Sequence, residues 1–479
     1  MRMSALARPL TLAMALSAGA LAFASPKTAE ACGGCFAPPI ANTVVAYHRM
    51  ILSVSTSETT LYDQIQYSGS PDSFAWVLPI RGEAKVGLSA DIVFQALDQT
   101  TTTSILPPPR NCPTPPVCYN ESSAKAGAPQ ASGGASLDNG VTVLKEETVG
   151  PYETVQLSAK SPGALGDWLK GHGYNIPDDI KPLIESYVTE QFDFLALKLV
   201  PGQGITSMRP VRVTTKGAVP SLPLRMVAAG SGASVGVTLW VVGDGRWEPQ
   251  TFPSFVIPAS DITWKWAESR SDYDLVRKAK VDALGGAAWE TESSADYSTS
   301  LVPNLIAQQR SFGGRGGPTF GVPNKDPFYD AVTDQSGAIT KTAQEVEAED
   351  MAALFQKKTL ARVTRMRSDL PRASLATDLV LQASSDQSVV ATFRQLTKEE
   401  GEPTCPVYEG CKYIGVAPRS KAKAQAEDQC GTSGAFCSGG GCSFQPFGTG
   451  DGDSRLGFWA LAAVGLVVAG ARRSARRSS

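Results

Sequence analysis

Histidine is nearly absent, with two in 479 residues. That scarcity excludes His-rich metal centres and leaves little room for catalysis built on imidazole. The spacings H-E-x-x-H and G-x-G-x-x-G are missing too, so the chain encodes no zinc helix or dinucleotide loop. Neither sign of charge dominates. Lys plus Arg is 44 and Asp plus Glu is 46, for a net charge of −2, and no nucleic-acid footprint exists at the level of the whole chain. No cofactor is implied. Gly (45) and Pro (33) are plentiful while charged residues are only 19%, which suits a loop-rich, β-leaning exported domain.

The two ends carry the clearest information. Arg2 and Arg8, the uncharged run Leu10 to Ala24 and then Ala29-Glu30-Ala31 form a secretory signal peptide over residues 1–31, with the mature chain starting at Cys32. Lipidation of Cys32 is disfavoured, because Ala29-Glu30-Ala31 lacks the large aliphatic residue such a site places three positions upstream. At the other end, Leu456 to Ala471 is apolar and is followed by Arg472, Arg473, Arg476 and Arg477. As a helix it spans about 24 Å, just short of a hydrocarbon core of roughly 30 Å. The arginines stay cytoplasmic, which places residues 32–455 outside and makes the membrane a partner of segment 456–471, with 472–479 a basic tail.

Nine cysteines in an exported chain make disulfides the default. Cys112 to Cys118 and Cys405 to Cys411 share the pattern C-P-x4-C and are read as local staples. Cys32 and Cys35 form a C-x-x-C at the mature start, read as a disulfide because no second pair completes a zinc site. Pairing Cys430 with Cys437 leaves Cys442, which follows three glycines and precedes the apolar tail. Cys442 is then the processing or lipid-attachment point of a sorting tail. In the alternative the tail is a plain anchor and Cys442 pairs within the Gly-rich region.

Strands are expected at Thr43–Val54, with Tyr47, Arg49 and Ile51 on one face and His48, Met50 and Leu52 on the other, and at Leu61–Tyr67. Further strands are read at Phe74–Leu78, Val141–Leu144, Thr154–Leu157, Phe192–Leu199, Val211–Thr214, Leu222–Val227, Val235–Val242 and Val389–Phe393. Gly243-Asp244-Gly245 reads as a hairpin turn into Trp247. Helices are expected from Ser89 as N-cap to about Leu97, after Asp178, and from Ser271 to Gly285-Gly286. The longest helix opens on the capping box Thr342-x-x-Glu345 and is read through Leu360, Val363 and Met366. Residues 105–140 are a flexible insertion within an exported domain 32–400, and 401–455 is a Cys- and Gly-rich linker.

Near-motifs carry little. Ser122-x-x-Lys125 lies in the insertion, the glycines at 313–317 lack a phosphate-loop lysine, and Asp451-Gly452-Asp453 lacks the later ligands of a calcium loop.

Several landmarks resemble the exported "domain of unknown function 2330" proteins over roughly residues 32–395. They are Ala31-Cys32-Gly33-Gly34, Phe74-Ala75-Trp76-Val77-Leu78-Pro79, Val149-Gly150-Pro151-Tyr152-Glu153, Trp168-Leu169, Gly173-Tyr174, Phe194 to Leu199, and Thr364-Arg365-Met366. The resemblance implies export and supplies no catalytic or ligand residues. The tail is similar to myxobacterial-type C-terminal sorting tails. The expected fold is α+β, with mostly antiparallel sheets, several helices, disulfide-stapled loops and a single C-terminal apolar helix. The expected role is structural or interactive at the cell envelope, toward a protein or glycan. An exported carboxylate-dependent hydrolase is the alternative.

Overall fold

The computed structural model describes residues 35–36, 44–68, 75–115, 146–158, 163, 165–166, 181–200, 208–228, 233–313, 326–333, 338–410 and 412–432. Contacts divide the chain into two compact units, Met1–Pro108 with Lys125–Gly401, and Pro109–Ala124 with Glu402–Ser479. The class is α+β, as expected.

The first unit is built on an eight-stranded sheet in the order Ser254–Phe255, Trp289–Ser298, Leu360–Pro371, Ser234–Gly243, Val44–Val54, Glu58–Ser68, Val211–Lys216 and Ala84–Leu88. Its pairings are antiparallel except Ser254–Phe255 on Trp289–Ser298 and Ser234–Gly243 on Val44–Val54. Alternation along the strands sorts side chains onto two buried faces. Ile51, Tyr62, Trp240 and Val363 face the helices Asp91–Thr101, Leu301–Gly313 and Ala343–Phe355. Met50, Leu52, Leu239 and Met366 face the other way, onto Leu222, Leu224, Leu375 and Leu379.

A five-stranded sheet, Cys35–Phe36, Ala75–Ile80, Asp193–Leu199, Tyr152–Ser158 and Glu146–Val149, packs its Trp76, Leu78, Leu195 and Leu197 against Val211 and Val213 of the large sheet. The strand expected at Phe74–Leu78 runs on through Pro79 to Ile80. Pro79 pairs opposite Phe194, and among the described residues nothing pairs with it on the other side, where the short strand Cys35–Phe36 meets Ala75 and Trp76, a position that tolerates proline. The edge strand Ala84–Leu88 is clasped by Gln156, whose side chain accepts from the Ala84 N–H at 3.0 Å and donates to its carbonyl at 2.5 Å.

Four local expectations are corrected. Ser89 does not cap the first helix. Ala90 holds the N-cap position, and the Ser89 hydroxyl donates to buried Asp350 at 2.6 Å. Segment Leu222–Val227 is a two-residue strand followed by the helix Leu224–Ala228, since Pro223 presets a helical start and the Asp378 carboxylate accepts from the Arg225 N–H. Trp247–Pro249 pairs with Leu379–Ala383 rather than folding back as a hairpin. The capping box at Thr342 forms with both reciprocal bonds, but the helix stops at Phe355, where Gln356 and Lys357 turn left-handed, and Leu360, Val363 and Met366 belong to a strand. That strand is buried on both faces, so its apolar spacing matches a helix as well as a sheet.

The described part of the second unit is the hairpin Thr404–Glu409 and Lys412–Pro418, the helix Arg419–Thr432 and residues 109–115. Here the local staples are overturned, because Cys112 is bonded to Cys405, with Cα atoms 5.4 Å apart. Cys405 sits opposite Ala417 at the base of the hairpin, and the strand runs on to Glu409 before the chain turns. Among the described residues this is the one disulfide, and no helix is long and apolar enough to cross a membrane. The signal peptide 1–31, segments 456–471 and 472–479, and Cys32, Cys118, Cys411, Cys437 and Cys442 lie outside the described residues, as do the expected strand Val141–Leu144 and the motifs at Ser122 and Asp451.

Candidate functional site

The strand Trp289–Ser298 buries a polar run, Glu290, Thr291, Glu292, Ser293 and Ser294. It pairs with Leu360–Pro371, and a bulge between Thr291 and Ser293 makes Glu292 the extra residue. Glu290 is fully buried; it lies 3.2 Å from Arg277 and 3.6 Å from Arg394, and it accepts the Tyr273 hydroxyl at 2.7 Å. Burial pushes the Glu290 carboxyl above the usual range, and neighbouring Glu292 adds to that. Glu292 meets Arg365 at 2.5 Å, and Arg365 also binds Asp98 and lies 5.1 Å from the centre of the Trp240 ring. Two carboxylates on neighbouring alternate positions are the feature a carboxylate-dependent hydrolase would need. Each is occupied by guanidinium groups, an arrangement that locks strands and helices together rather than holding a water for attack.

Arg394 connects that network to the surface. It lines a cleft of about 350 Å³ together with Arg246, Asp386, Val256 to Ala259 and Val389 to Gln395. Ser384 and Gln387 hold the 384–388 turn, Gln387 accepting from the Arg246 N–H at 2.8 Å and donating to the Arg246 carbonyl at 3.1 Å. The chain then extends. Val390 exchanges both backbone hydrogen bonds with Ser294, each 2.9 Å, and Phe393–Gln395 pairs parallel with Ser104–Leu106. Inward go Val390, Arg394 and Leu396; outward go Val389, Ala391 and Phe393, the last 68% exposed. A surface strand ordinarily turns polar residues outward, so an apolar row that no described residue covers reads as a contact surface.

Two interior polar sites complete the map. His48 is buried, lies 3.2 Å from Asp63 through Nδ1, and leaves Nε2 without a partner beside a void of about 20 Å³ lined by Met50, Trp76 and Leu224. That space fits one water. Asp350 accepts from Ser89 and Tyr329, and burial pushes its carboxyl up to about 6. It ties the helix Ala343–Phe355 to the sheet.

Of the residues singled out from sequence, the structure joins Cys112 to Cys405 and sets Cys35 opposite Trp76 in a strand; Cys430 falls in the helix Arg419–Thr432. Arg246, Arg394, Glu290 and Glu292 were not legible as site residues. The expected strand Val389–Phe393 held the available signal, since apolar residues at both alternating sets leave no solvent face. Among the described residues no group of three or more His, Cys, Asp or Glu is placed to hold a metal.

A family model described as an uncharacterized protein conserved in bacteria (DUF2330) matches residues 26–307, and the chain belongs to that family. No curated protein matches the chain. Among solved structures it is similar to the crystal structure of baculovirus P35, at 9% identity and a TM-score of 0.27 over 72% of this chain and 97% of that one, a likeness too slight to carry an argument.

Proposed function

We propose that this chain, as a member of that bacterial family, is an exported module of the cell envelope that works by gripping another envelope component along Val389–Gln395. The observation that carries the interaction is the outward row Val389, Ala391 and Phe393 beside the 350 Å³ cleft. Export is supported by the basic start, apolar run and Ala29-Glu30-Ala31 site. The Cys112–Cys405 bond adds to that, because such bonds persist in oxidising compartments. Segment 456–471 anchors the chain with its arginines inside, or Cys442 marks its removal; both fates leave the folded units on the outer side. Fractionation of the native host with mass spectrometry of the mature protein tests this. The expected result is an envelope-associated chain beginning at Cys32 with Cys112 and Cys405 oxidised. A cytoplasmic chain with its N-terminal leader intact and both thiols free overturns it. A C-terminal peptide ending at Ser479, with Cys442 unmodified, selects the anchor over processing.

A further inference from the structure

The geometry points to an occupant for the cleft: an extended peptide segment that adds as a strand along Val389–Phe393 and places a carboxylate beside Arg246. This deepens the interaction reading above and rests on it. Val390 spends its N–H and carbonyl on Ser294. In an antiparallel pair the flanking residues then turn their backbone groups the opposite way, so those of Val389 and Ala391 face the cleft side. A backbone laid along them gains main-chain hydrogen bonds, and its alternate side chains meet the outward apolar row. At the far edge of the large sheet, Ala84–Leu88, the N–H and carbonyl of Ala84 are taken by the Gln156 side chain.

The charge follows from the lining. Arg246 and Arg394 are 6% and 5% exposed; Arg394 Nη1 faces Glu290 at 3.6 Å, whereas Arg246 keeps Nε without a hydrogen-bond partner. Unmet buried donors are costly, and a guanidinium is best met by a carboxylate. Asp386 already places one carboxylate on Arg246 Nη1 at 3.0 Å from the exposed side, which demonstrates the approach and leaves Nε unmet. Asp386 is the one carboxylate lining the cleft, and Arg394 is already set opposite Glu290, so the guanidinium open to an outside carboxylate is that of Arg246. A cleft of about 350 Å³ lies at the small end of ligand sites and receives one or two side chains.

An immobilised array of apolar pentapeptides with Glu, Gln or Lys at the centre, probed with the full chain, tests this. Glu-centred spots are expected to retain at least ten-fold more protein than Gln- or Lys-centred ones. Phe393→Ser and Ala391→Pro, both at exposed positions, should abolish retention at an unchanged melting temperature. Arg246→Gln should erase the preference for Glu while leaving residual binding. Equal retention of Glu, Gln and Lys spots overturns the carboxylate and leaves the docking surface standing. No retention at all, or retention untouched in both Phe393→Ser and Ala391→Pro, overturns the docking surface itself.

Discussion

A strand of the large sheet and the segment bridged to it reverse the ordinary distribution of polarity. Trp289–Ser298 carries Glu290, Glu292, Ser293 and Ser294 into the interior, whereas the segment beside it turns Val389 and Phe393 to solvent. In the first, both carboxylates are answered from within the chain, by Arg277, Arg365 and Arg394. In the second, nothing among the described residues covers the apolar row. Burial of a polar group therefore marks a partner supplied by the fold, and exposure of an apolar one marks a surface shaped for something outside. The arginine at position 394 takes part in both, holding Glu290 and lining the cleft.

The contrast breaks most sharply at Arg365. Replacing it in Arg365→Met strands Glu292 in the interior, and removing one partner of a buried pair typically costs about 3–5 kcal/mol. Urea denaturation should register a loss of that size, and the double variant Glu292→Leu with Arg365→Leu should regain much of it. A loss below about 1 kcal/mol for the single variant would show that Arg367, 3.9 Å from Glu292, or water answers that carboxylate in place of Arg365.

A smaller effect separates the polar interior from the surface by pH. The native Asp350 carboxyl is pushed up to about 6, while the unfolded chain releases that proton near the ordinary value of about 4. Between those values the native state holds more protons than the unfolded one, so stability falls as pH rises through the window and is flat above it. A gap of about two pH units between native and unfolded titration is worth at most about 3 kcal/mol. Asp350→Asn should remove that slope from melting curves taken between about pH 4 and 7. A slope unchanged in the variant would assign it to another group, with Glu290, which is shifted in the same direction, the first to test.

The smallest stability change belongs to the exposed strand. Phe393→Ser removes a side chain that is 68% exposed, so unfolding free energy should move by no more than about 0.5 kcal/mol. Calorimetry showing a loss above about 2 kcal/mol would mean that Phe393 serves the fold, and the contrast between the two stretches would vanish.

Loss of the disulfide should tell the two units apart. Cys112→Ser removes the bond between residues 109–115 and the hairpin, and limited proteolysis should then cut first within 402–418. First cleavage inside Trp289–Ser298 would contradict the division into units.

Local chemistry was enough for some elements. Alternation assigned Met50 and Ile51 to opposite faces, and both lie where that places them. Thr342 and Glu345 announced their capping box because its partners are three residues apart. The same local logic misread Leu360–Met366 as helix, since a strand buried on both faces leaves no polar period to read. It missed Trp289–Ser298 altogether, because a polar run is indistinguishable from a loop until arginines distant in sequence arrive to neutralise it.

By itself, then, the sequence determined which short-range devices form: the capping box at Thr342 and the alternating strands. Only the tertiary structure decided that Cys112 meets Cys405 across 293 residues, that Glu290 and Glu292 lie among arginines, and that Val389 and Phe393 remain uncovered. Local patterns depend on neighbours a few residues away, which the chain specifies directly. Pairings across hundreds of residues depend on which surfaces pack together, and that is settled by the free energy of the whole fold.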